Sequence, residues 1–452
     1  MDSSWTDTPV VDVLGVGFGP ANLALAIAVT EHNETGGGAP PLTAEFLERK
    51  PAFDWHGSML IEGATMQVAF LKDLATLRNP VSRFGFVPYL HARGRLVDFI
   101  NHKILYPSRV EFHDYLSWCA GQVDHLVRYG HEMVSARTVA EDGAVTHFEV
   151  IARDESTGEL VVKKARNLVL APGLVPRMPH GLEVSAHVRH SSTTLADLAR
   201  LDASARTPRR FVVLGAGQSA AEVADHLHRT YPAAEVHAVF SRFGYSQADD
   251  SPFANRIFDP SAVDDFHGAP PEVKDALFGY HANTNYSVVD VDLIEEMYRR
   301  VYEDRIAGVE RLRLHNVSVL RDVQEAGDAV KMTVHHLSTG GTTDLEADLL
   351  VCATGYRPPD PLALLGPAGD PLLRDSEGRL LVEREYRVAT APEVRAGVYL
   401  CGGTEHSHGI TSSLLSNAAV RAGEILDSVL DRAGRDPGPA AVRQDTAAAK
   451  AC

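Results

Sequence analysis

VVDVLGVGFGPANLALAIAV, residues 10–29, consists of an apolar run, a glycine-rich turn and a segment rich in alanine and leucine. The apolar run is typical of a buried parallel strand. Gly15 allows a tight turn, Gly17 lets a pyrophosphate approach the backbone, and Gly19 leads into a helix whose N-terminus stabilises negative charge. Pro20 departs from the usual fingerprint, which has a third glycine there. The stretch predicts a dinucleotide site.

Glu48 ends a second apolar run, AEFLERK, and is the expected partner for a ribose hydroxyl. In such sites this acid usually lies about 20 residues after the glycines. Here it comes later, and we interpret EHNETGGGAP, residues 31–40, as a surface loop that accounts for the added length.

A second strand, glycine turn and helix pattern occurs in RRFVVLGAGQSAAEVADHLH, residues 209–228. Gly215 and Gly217 are followed by Ala220, which the fingerprint permits at its third position. A single glycine turn can be purely structural, but two copies in this context favour two dinucleotides. The most economical pair is a flavin and a nicotinamide.

Two later stretches indicate that the chain returns to its first domain. ADLLVCATGYRPPDP, residues 347–361, resembles the segment by which two-dinucleotide flavoproteins pass back from the nicotinamide domain. A further strand, glycine turn and helix follow in residues 395–426. We therefore predict an α/β fold with two Rossmann-like domains for FAD and NADPH, a discontinuous flavin domain and a smaller helical substrate-binding segment. The predicted limits are 8–200 and 351–432 for the flavin domain, 205–350 for the NADPH domain with a helical insert at about 247–310, and 433–452 for a disordered tail.

The amino-acid composition of the chain restricts the classes of molecule that it can bind. The 452 residues include 43 Lys and Arg against 60 Asp and Glu, a net charge of −17, which disfavours nucleic acid. The first residues lack the pattern of a signal peptide, and no apolar run approaches the ~20 residues that span a bilayer. The four cysteines show neither close pairing nor metal spacing. We expect a cytoplasmic protein without a metal or a membrane contact.

The strand after the second turn, EVHAVFSRFGYS, has Ser241 and Arg242 where NAD sites place an acid. An arginine there suits the 2′-phosphate of NADPH; the alternative is a solvent-facing arginine at a strand end. The first turn, with Glu48, would then hold FAD. Without a cysteine pair for disulfide reduction or a cysteine cluster for iron–sulfur ligation, oxygen activation through a flavin hydroperoxide is the leading class of reaction.

Eight motifs together resemble the microbial N-hydroxylating flavin monooxygenases, and within them the L-ornithine N5-monooxygenases of siderophore biosynthesis, over residues 10–428. These motifs are GVGFGPANLALA, DWHGSM, MQVAFLKDLATLRNP, GAGQSAAE, DDSPFANRIFDP, NTNYSVVD, ATGY and HGITSSLLSN. The resemblance implies that L-ornithine is hydroxylated with NADPH and O2, and that the enzyme is a homotetramer.

The resemblance also implies roles for individual residues. Those assigned to FAD are Gly15, Gly17, Gly19, Glu48, Trp55, His56, Gln67, Val134, Ser413, Leu414 and Leu415. Those assigned to NADPH are Gly215, Gly217, Gln218, Ser219, Ala220, Arg242, Asn285, Tyr286 and Ser287. Those assigned to the substrate are Lys72, Asn255, Phe258, Asn285 and Ser416, with Gln67 and Asn285 nearest the chemistry.

Lys72 lies in QVAFLKDLATLRNP, residues 67–80, whose apolar residues fit a helical period loosely. A cation beside an apolar face needs a partner, and the α-carboxylate of ornithine would serve; the alternative is that Lys72 extends to the surface. The reacting amine must be neutral, although free alkylamines have a pKa of ~10. We therefore expect neutral contacts such as Asn285 around it, and assign Asp249 and Asp250 to a loop.

Several alternatives remain open at this point. A lysine N-hydroxylase would need a pocket longer by one methylene, and a diamine N-hydroxylase would have no use for Lys72 and Asn255. A flavin monooxygenase acting on sulfur or ketones, or a non-catalytic flavoprotein, is a further alternative. His406 and His408 resemble a metal pair, but the glycine-rich turn explains them better.

Overall fold

A computed structural model describes residues 8–36, 40–204 and 207–433 of the chain. The predicted disordered tail lies outside the described residues except for Ala433. The described strands are β1 (Val10–Val16), β2 (Ala44–Glu48), β3 (Val127–Tyr129), β4 (His131–Glu141), β5 (Ala144–Asp154), β6 (Leu160–Leu170), β7 (Val175–Pro176), β8 (Val188–His190), β9 (Arg210–Leu214), β10 (Glu235–Val239), β11 (Leu312–His315), β12 (Ser318–Ala326), β13 (Ala329–His336), β14 (Thr342–Ala347), β15 (Leu349–Cys352), β16 (Tyr356–Arg357) and β17 (Gly397–Leu400).

Helices cover the sheets and form the segments between them. The described helices are α1 (Pro20–Thr35), α2 (Phe86–Ala92), α3 (Leu96–His102), α4 (Arg109–Gln122), α5 (Thr194–Asp202), α6 (Gln218–Thr230), α7 (Ala262–Gly268), α8 (Pro271–His281), α9 (Val291–Ile306), α10 (Pro361–Leu365), α11 (Glu405–His408) and α12 (Ala418–Arg432). Within these ranges, no helix combines the length and apolar character that a membrane span requires.

The first sheet contains the first and the last of the described strands, β1 and β17. Its order is β3-β2-β1-β6-β5-β4, and β17 pairs with β6 as well. The first half of β6 lies antiparallel to β5, whereas its second half lies parallel to β17, with Leu168 opposite Val398. Because β17 comes more than 200 residues after β6, the sheet is completed only after the chain has built another sheet.

The second sheet is parallel throughout, in the order β11-β10-β9-β15-β8. An antiparallel sheet of β12, β13 and β14 lies beside it. The chain leaves the first sheet through β7 and returns through β16, and these two short strands pair with each other. The predicted α/β fold, with two Rossmann-like units of which the first is discontinuous, is therefore confirmed.

Two predicted limits differ from the strand pairing. Residues Val188–His190 form β8, which pairs with β15 in the second sheet, so the chain enters that sheet before residue 200. The predicted insert at about 247–310 includes α9, but Met297 of this helix is buried in the core of the second sheet. α9 is the crossover helix between β10 and β11, because parallel neighbours need such a connection. The remaining domain limits stay predictions.

The loop predicted at residues 31–40 is wrong for its first half, because α1 continues to Thr35. The side chain of Asn33 donates to the carbonyl of Leu42 at 2.9 Å and accepts from the amide of Leu42 at 2.8 Å. Glu31 forms an ion pair with Arg78. These contacts hold the last part of α1 against the chain that enters β2 and against the segment at residues 67–80. Residues 37–39 lie outside the described part.

The helix suggested by residues 67–80 is absent, and this described segment consists of turns. The fully buried carboxylate of Asp73 accepts hydrogen bonds from the amides of Ala75 at 2.9 Å, Thr76 at 2.6 Å and Phe86 at 2.7 Å. Aspartate side chains that bind nearby amides compete with helix formation. This local capping therefore overrides the loose helical period.

An aromatic core holds this turn segment in place. Phe86, Tyr89, Phe112 and Tyr115 are fully buried between α2 and α4. The Tyr115 hydroxyl accepts from the amide of Leu74 at 3.1 Å. Each buried aromatic ring of this kind contributes about 1.5–3 kcal/mol of burial free energy, so the segment that carries Lys72 rests on a rigid base.

Candidate active site

The first glycine turn, between β1 and α1, has no room for side chains at two of its glycines. A Cβ at Gly15 would lie 2.2 Å from the ring of Phe46, and one at Gly17 would lie 2.3 Å from the carbonyl oxygen of Ala171. Gly17 also has φ of +80°. At Gly19 no heavy atom lies within 4 Å of that position, so its backbone faces open space. The turn offers an anion a close approach to the N-terminus of α1.

Glu48, at the end of β2, is 9% exposed and lies beside this turn. Its two carboxylate oxygens accept from the amides of Phe18 at 2.7 Å and Lys50 at 2.9 Å. These bonds fix the carboxylate at the carboxyl edge of the sheet, where a ribose hydroxyl binds in dinucleotide folds. A carboxylate has further lone pairs, so it can accept that hydroxyl as well.

A cavity of about 370 Å³ begins at the first turn and extends between the first sheet and α12. Its wall includes Gly19, Trp55 and the run from Ser413 to Leu415, which are among the residues assigned to FAD. His56 and Val134 lie outside this wall. Val134 is 45% exposed on β4, at a bulge of the ladder.

Four buried polar atoms on the segments around this cavity have no hydrogen-bond partner. They are Oγ1 of Thr404, Oγ of Ser416, Oδ1 of Asn417 and Nε of Arg421. Buried polar atoms are normally bonded, and Arg421, whose Nε is one of the four, belongs to the cavity wall, so a polar ligand in the cavity can meet its guanidinium. Together with the glycine cradle and the apolar walls, the chemistry fits a flavin dinucleotide.

The second glycine turn, between β9 and α6, is tight at Gly215 and less crowded at Gly217. Gly215 has φ of +140°, and a Cβ there would lie 2.3 Å from the carbonyl oxygen of Ala353. A Cβ at Gly217 would lie 3.3 Å from Cα of Ser287. The first residues of α6 are Gln218, Ser219 and Ala220.

A loop before α9 connects the second turn with the first domain. Arg242, on the exposed loop after β10, donates to the carbonyl oxygen of Ser287 at 2.9 Å. The side chain of Asn285 is hydrogen-bonded to Tyr286, whose hydroxyl bonds the carboxylate of Glu405 on α11. Burial and this carboxylate raise the pKa of Tyr286. The residues assigned to the nicotinamide are thus held against the flavin side of the molecule.

A polar chain, which we call the junction network, joins α4, α6 and the turn segment. Arg109 binds both oxygens of Glu222, at 2.8 and 2.6 Å. The side-chain amide of Gln218 donates to Glu222 at 3.0 Å and to Asp290 at 2.9 Å. Gln67 is also hydrogen-bonded to Asp290. The network therefore places Gln67, assigned to the flavin, in contact with the first turn of the NADPH helix through Asp290.

Asp290 is an acid that the sequence interpretation missed. Burial is the main cause that raises its pKa, and the nearby charge of Glu222 adds to the effect. Arg109 and Glu222 were missed as well. The signal was present for Glu222, since this carboxylate lies on the buried face of the amphipathic helix α6.

Lys72 is half-buried on a turn, and its amide donates to the carbonyl of Ala69 at 2.8 Å. Among the described residues, no carboxylate forms an ion pair with its ammonium group. The cation is therefore available to an anion from outside the chain.

The segment that carries Asn255 and Phe258 is docked onto the loop that follows α11. The hydroxyl of Thr411 donates to the carbonyl of Ile257, and Asn417 donates to the carbonyl of Phe258 at 2.9 Å. Ser416, which precedes Asn417, is 2% exposed. The structure thus brings together three of the residues assigned to the substrate from two distant parts of the chain.

Asn255 itself donates to the carbonyl of Asp250 at 2.6 Å. The carboxylate of Asp249 accepts from the amide of Ser251 at 3.1 Å, which is a turn-capping contact. His406 and His408 bind the backbone carbonyls of Leu380 and Arg384, each at 3.0 Å. No group of three or more possible metal ligands occurs among the described residues.

The sequence matches the family model of L-lysine 6-monooxygenase/L-ornithine 5-monooxygenase over residues 9–358. An L-ornithine N(5)-monooxygenase of Burkholderia cepacia is 42% identical over 405 residues, which cover 88% of this chain and 90% of the relative.

Solved structures give the same result. The ornithine N-hydroxylase of Kutzneria sp. 744, with reduced FAD, NADP+ and L-ornithine, has a TM-score of 0.89 and 46% identity, and the match covers 94% of this chain and 100% of that one. The L-lysine 6-monooxygenase of Pseudomonas syringae has a TM-score of 0.81 and 34% identity, and the match covers 93% and 99% of the two chains. The chain belongs to the L-lysine 6-monooxygenase/L-ornithine 5-monooxygenase family.

Proposed function

We propose that this chain is an FAD- and NADPH-dependent L-ornithine N5-monooxygenase. It converts L-ornithine, O2, NADPH and a proton to N5-hydroxy-L-ornithine, NADP+ and water. The observation that carries the proposal is the 46% identity, over 94% of the chain, with an ornithine N-hydroxylase whose structure contains L-ornithine.

FAD, when bound, supplies the oxygen activation that no amino-acid side chain provides. The residues that would hold it are those around the first glycine turn, the carboxylate of Glu48 and the cavity wall at Trp55 and Ser413. His56, Val134 and Gln67 are further proposed contacts. The apolar part of the wall excludes water from the reacting atoms.

NADPH would bind at the second glycine turn. The backbone amides at the start of α6 would bind its pyrophosphate, as at other helix N-termini. Arg242 is exposed and lies 2.9 Å from the Ser287 carbonyl, so its guanidinium can exchange this contact for the 2′-phosphate. The preference for NADPH over NADH rests on this one arginine.

L-Ornithine would be held at its two ends by different chemistry. Lys72 supplies the positive charge for the α-carboxylate, with Asn255 and Ser416 as neutral hydrogen-bond partners and Phe258 beside them. Asn285 would contact the reacting amine at the other end. A neutral amide does not stabilise the ammonium form, so it favours the unprotonated amine with its free lone pair.

L-Lysine is the second candidate substrate, because the family model covers both activities and a lysine enzyme shares 34% identity with this chain. The extra methylene of lysine changes binding by only ~1–3 kcal/mol. A diamine such as cadaverine has no carboxylate and would leave Lys72 without a partner.

The test is NADPH oxidation by the FAD-loaded protein with and without L-ornithine, combined with detection of the hydroxylated product. We expect ornithine to accelerate NADPH oxidation and N5-hydroxyornithine to accumulate. Lysine and cadaverine are run in parallel. A higher kcat/KM for either would transfer the proposal to that substrate. A protein that binds FAD but forms no hydroxylated product from any of the three substrates would refute the enzyme assignment.

We further propose that the product supplies hydroxamate siderophore or peptide biosynthesis, and that the enzyme is a cytoplasmic homotetramer. Exposed apolar side chains on α3 and α9 support association with further copies of the chain. They include Val97 at 69%, Ile100 at 62%, Tyr298 at 74% and Ile306 at 71% exposure. The mass of the FAD-loaded protein in solution tests this point, and a monomer would contradict it.

A further inference from the structure

Arg421 is a buried cation in the wall of the cavity. It lies in the first turn of α12, and only 3% of its surface is exposed. Its side chain lines the cavity together with Cys401, Ser413 and Leu414. Arginine is almost never buried to this extent unless its charge is paired.

The groups that contact Arg421 are neutral. Its Nη1 donates to the carbonyl of Ser412, and the thiol of Cys401 is a second hydrogen-bond partner. The guanidinium carbon lies 6.0 Å from the ring centre of Tyr386. Its buried Nε has no acceptor at all.

The acid nearest along the helix is already engaged. Glu424, one turn after Arg421, binds Arg384 through both oxygens, at 3.0 and 2.9 Å. Within the described part of the chain, no carboxylate forms an ion pair with Arg421. The positive charge of Arg421 therefore has no carboxylate in direct contact, and the charge of Glu424 acts on it only from a distance.

A buried charge without a counter-charge costs several kcal/mol of folding free energy. Arg421 lines the cavity, so an anion bound there can supply the compensating charge. Arginine keeps its proton throughout the working pH range, so the charge is permanent. The site is therefore built for a ligand that carries negative charge at this depth.

We propose that Arg421 is the counter-cation for the negative charge that the flavin ring gains during the reaction. This inference rests on the proposed function, since it requires FAD and NADPH. A hydride carries two electrons and one proton, so its transfer from NADPH yields NADP+ and leaves one additional negative charge on the ring. Arg421 stabilises that charge without taking up or releasing a proton.

The contact with Ser412 gives this role a structural basis. The Ser412 carbonyl belongs to the loop that leads into Ser413, Leu414 and Leu415, and it fixes the guanidinium before any charge develops. Pre-oriented cations stabilise developing charge more than groups that must first reorganise. Arg421 thereby favours flavin reduction in addition to holding the loop.

The test uses the FAD-loaded protein and three substitutions. Arg421→Met removes the charge at similar length, Arg421→Lys keeps it, and Arg432→Met removes a charge from the exposed end of the same helix. Arg432 is 47% exposed in its pair with Glu383 and serves as the matched control. The readouts are the equilibrium constant for flavin reduction against a reference dye and the dissociation constant of FAD.

We expect Arg421→Met to lower the equilibrium constant for flavin reduction by about tenfold or more. A charge close to an ionising group typically changes its equilibrium constant by at least this factor. Arg421→Lys should stay within about threefold of the wild type, and Arg432→Met should not change it. If Met and Lys both weaken FAD binding equally and leave the equilibrium constant unchanged, Arg421 only positions the loop and the inference is overturned.

The wild type provides a readout that does not depend on a variant folding. Its reduced flavin should keep the absorption of the anion at pH values where free reduced FAD becomes protonated, and protonation at the same pH as free FAD would overturn the inference. The proposed function fails separately: a wild type that is reduced by NADPH but never hydroxylates ornithine refutes that proposal and leaves the role of Arg421 standing.

Discussion

Lys72 combines a positive charge, partial burial and the absence of an acidic partner among the described residues. A substrate carboxylate completes this arrangement, whereas an amine substrate without a carboxylate does not. We predict that Lys72→Ala raises the KM for ornithine about thirtyfold, since loss of one partner of a hydrogen-bonded charge pair costs at least ~2 kcal/mol. FAD affinity and NADPH oxidation without ornithine should not change.

The control for this prediction is Lys331→Ala. Lys331 is 60% exposed and pairs with Glu346 at 3.5 Å, on a sheet that carries none of the assigned site residues. Steady-state kinetics with ornithine checks both variants. An unchanged KM in Lys72→Ala would show that another group holds the carboxylate.

We predict that Asp290 makes the free energy of unfolding depend on pH. Burial and the charge of Glu222 raise its pKa in the folded protein, so between the unfolded value of about 3.9 and the raised value the folded state binds more protons. Its contribution to stability is therefore present at low pH and is lost as the pH rises through the folded pKa. Asp290→Asn does not titrate.

The stability of Asp290→Asn relative to the wild type should accordingly increase from acidic to neutral pH. Urea unfolding of both proteins at a series of pH values measures this difference. A difference that stays constant with pH would mean that Asp290 does not titrate differently in the folded state.

In the first glycine turn, we expect one glycine, Gly17, to be required for folding and another, Gly19, to be required for FAD binding. Gly17 has φ of +80° and no room for a Cβ, while Gly19 has an extended backbone and open space. Gly17→Ala should lower the free energy of unfolding by more than ~2 kcal/mol. Gly19→Ala should change it by less than ~0.5 kcal/mol, but weaken FAD binding because its methyl group enters the cradle.

Thermal unfolding of the apoprotein and titration with FAD distinguish the two effects. Equal destabilisation by the two substitutions would contradict the geometry of the turn.

Helices, strands and turns could be predicted where the local sequence alone determines the backbone conformation. β1 with its turn, and β9 with its turn, follow from apolar runs that end in glycines, of which Gly15, Gly17 and Gly215 have no room for a Cβ. The turns at residues 67–80 could not be predicted, because the buried carboxylate of Asp73 caps them through three amides, including that of Phe86. The last turn of α1 likewise depends on contacts of Asn33 with Leu42 that periodicity does not express.

At the scale of the whole molecule, the junction network links the two dinucleotide units. Arg109 and Glu222 are 113 residues apart in sequence, and Glu222 is 4% exposed. Arg109→Met would leave this buried carboxylate unpaired, so we predict a loss of about 3 kcal/mol in the free energy of unfolding. Adding Glu222→Gln should recover most of it.

A matched control is Arg137→Met, which breaks an ion pair with Glu149 in which the arginine is 66% exposed. Exposed pairs contribute at most ~1 kcal/mol. Urea unfolding compares the variants. A loss in Arg109→Met no larger than that in Arg137→Met would show that the junction network does not stabilise the fold.

The site residues remain predictions from the resemblance, and the structure adds which of them lie close together. The resemblance assigned Gln67, Asn255, Phe258 and Ser416 one by one, but it contained no information on contacts such as that between Asn417 and Phe258. Such contacts join residues far apart in the chain and depend on how the two sheets pack. The resemblance did not point to Asp290 or Arg421. The raised pKa of Asp290 and the burial of the Arg421 cation depend on residues that only the fold brings around them.

The central claim is that Lys72 anchors the α-carboxylate of ornithine so that the far amine reaches the flavin. A crystal structure of the protein with FAD, NADP+ and L-ornithine tests it most directly. We predict that Nζ of Lys72 lies within about 2.7–3.2 Å of a carboxylate oxygen of ornithine, with the side-chain amine directed towards the flavin ring. A structure in which ornithine binds with Lys72 directed into solvent would contradict the account.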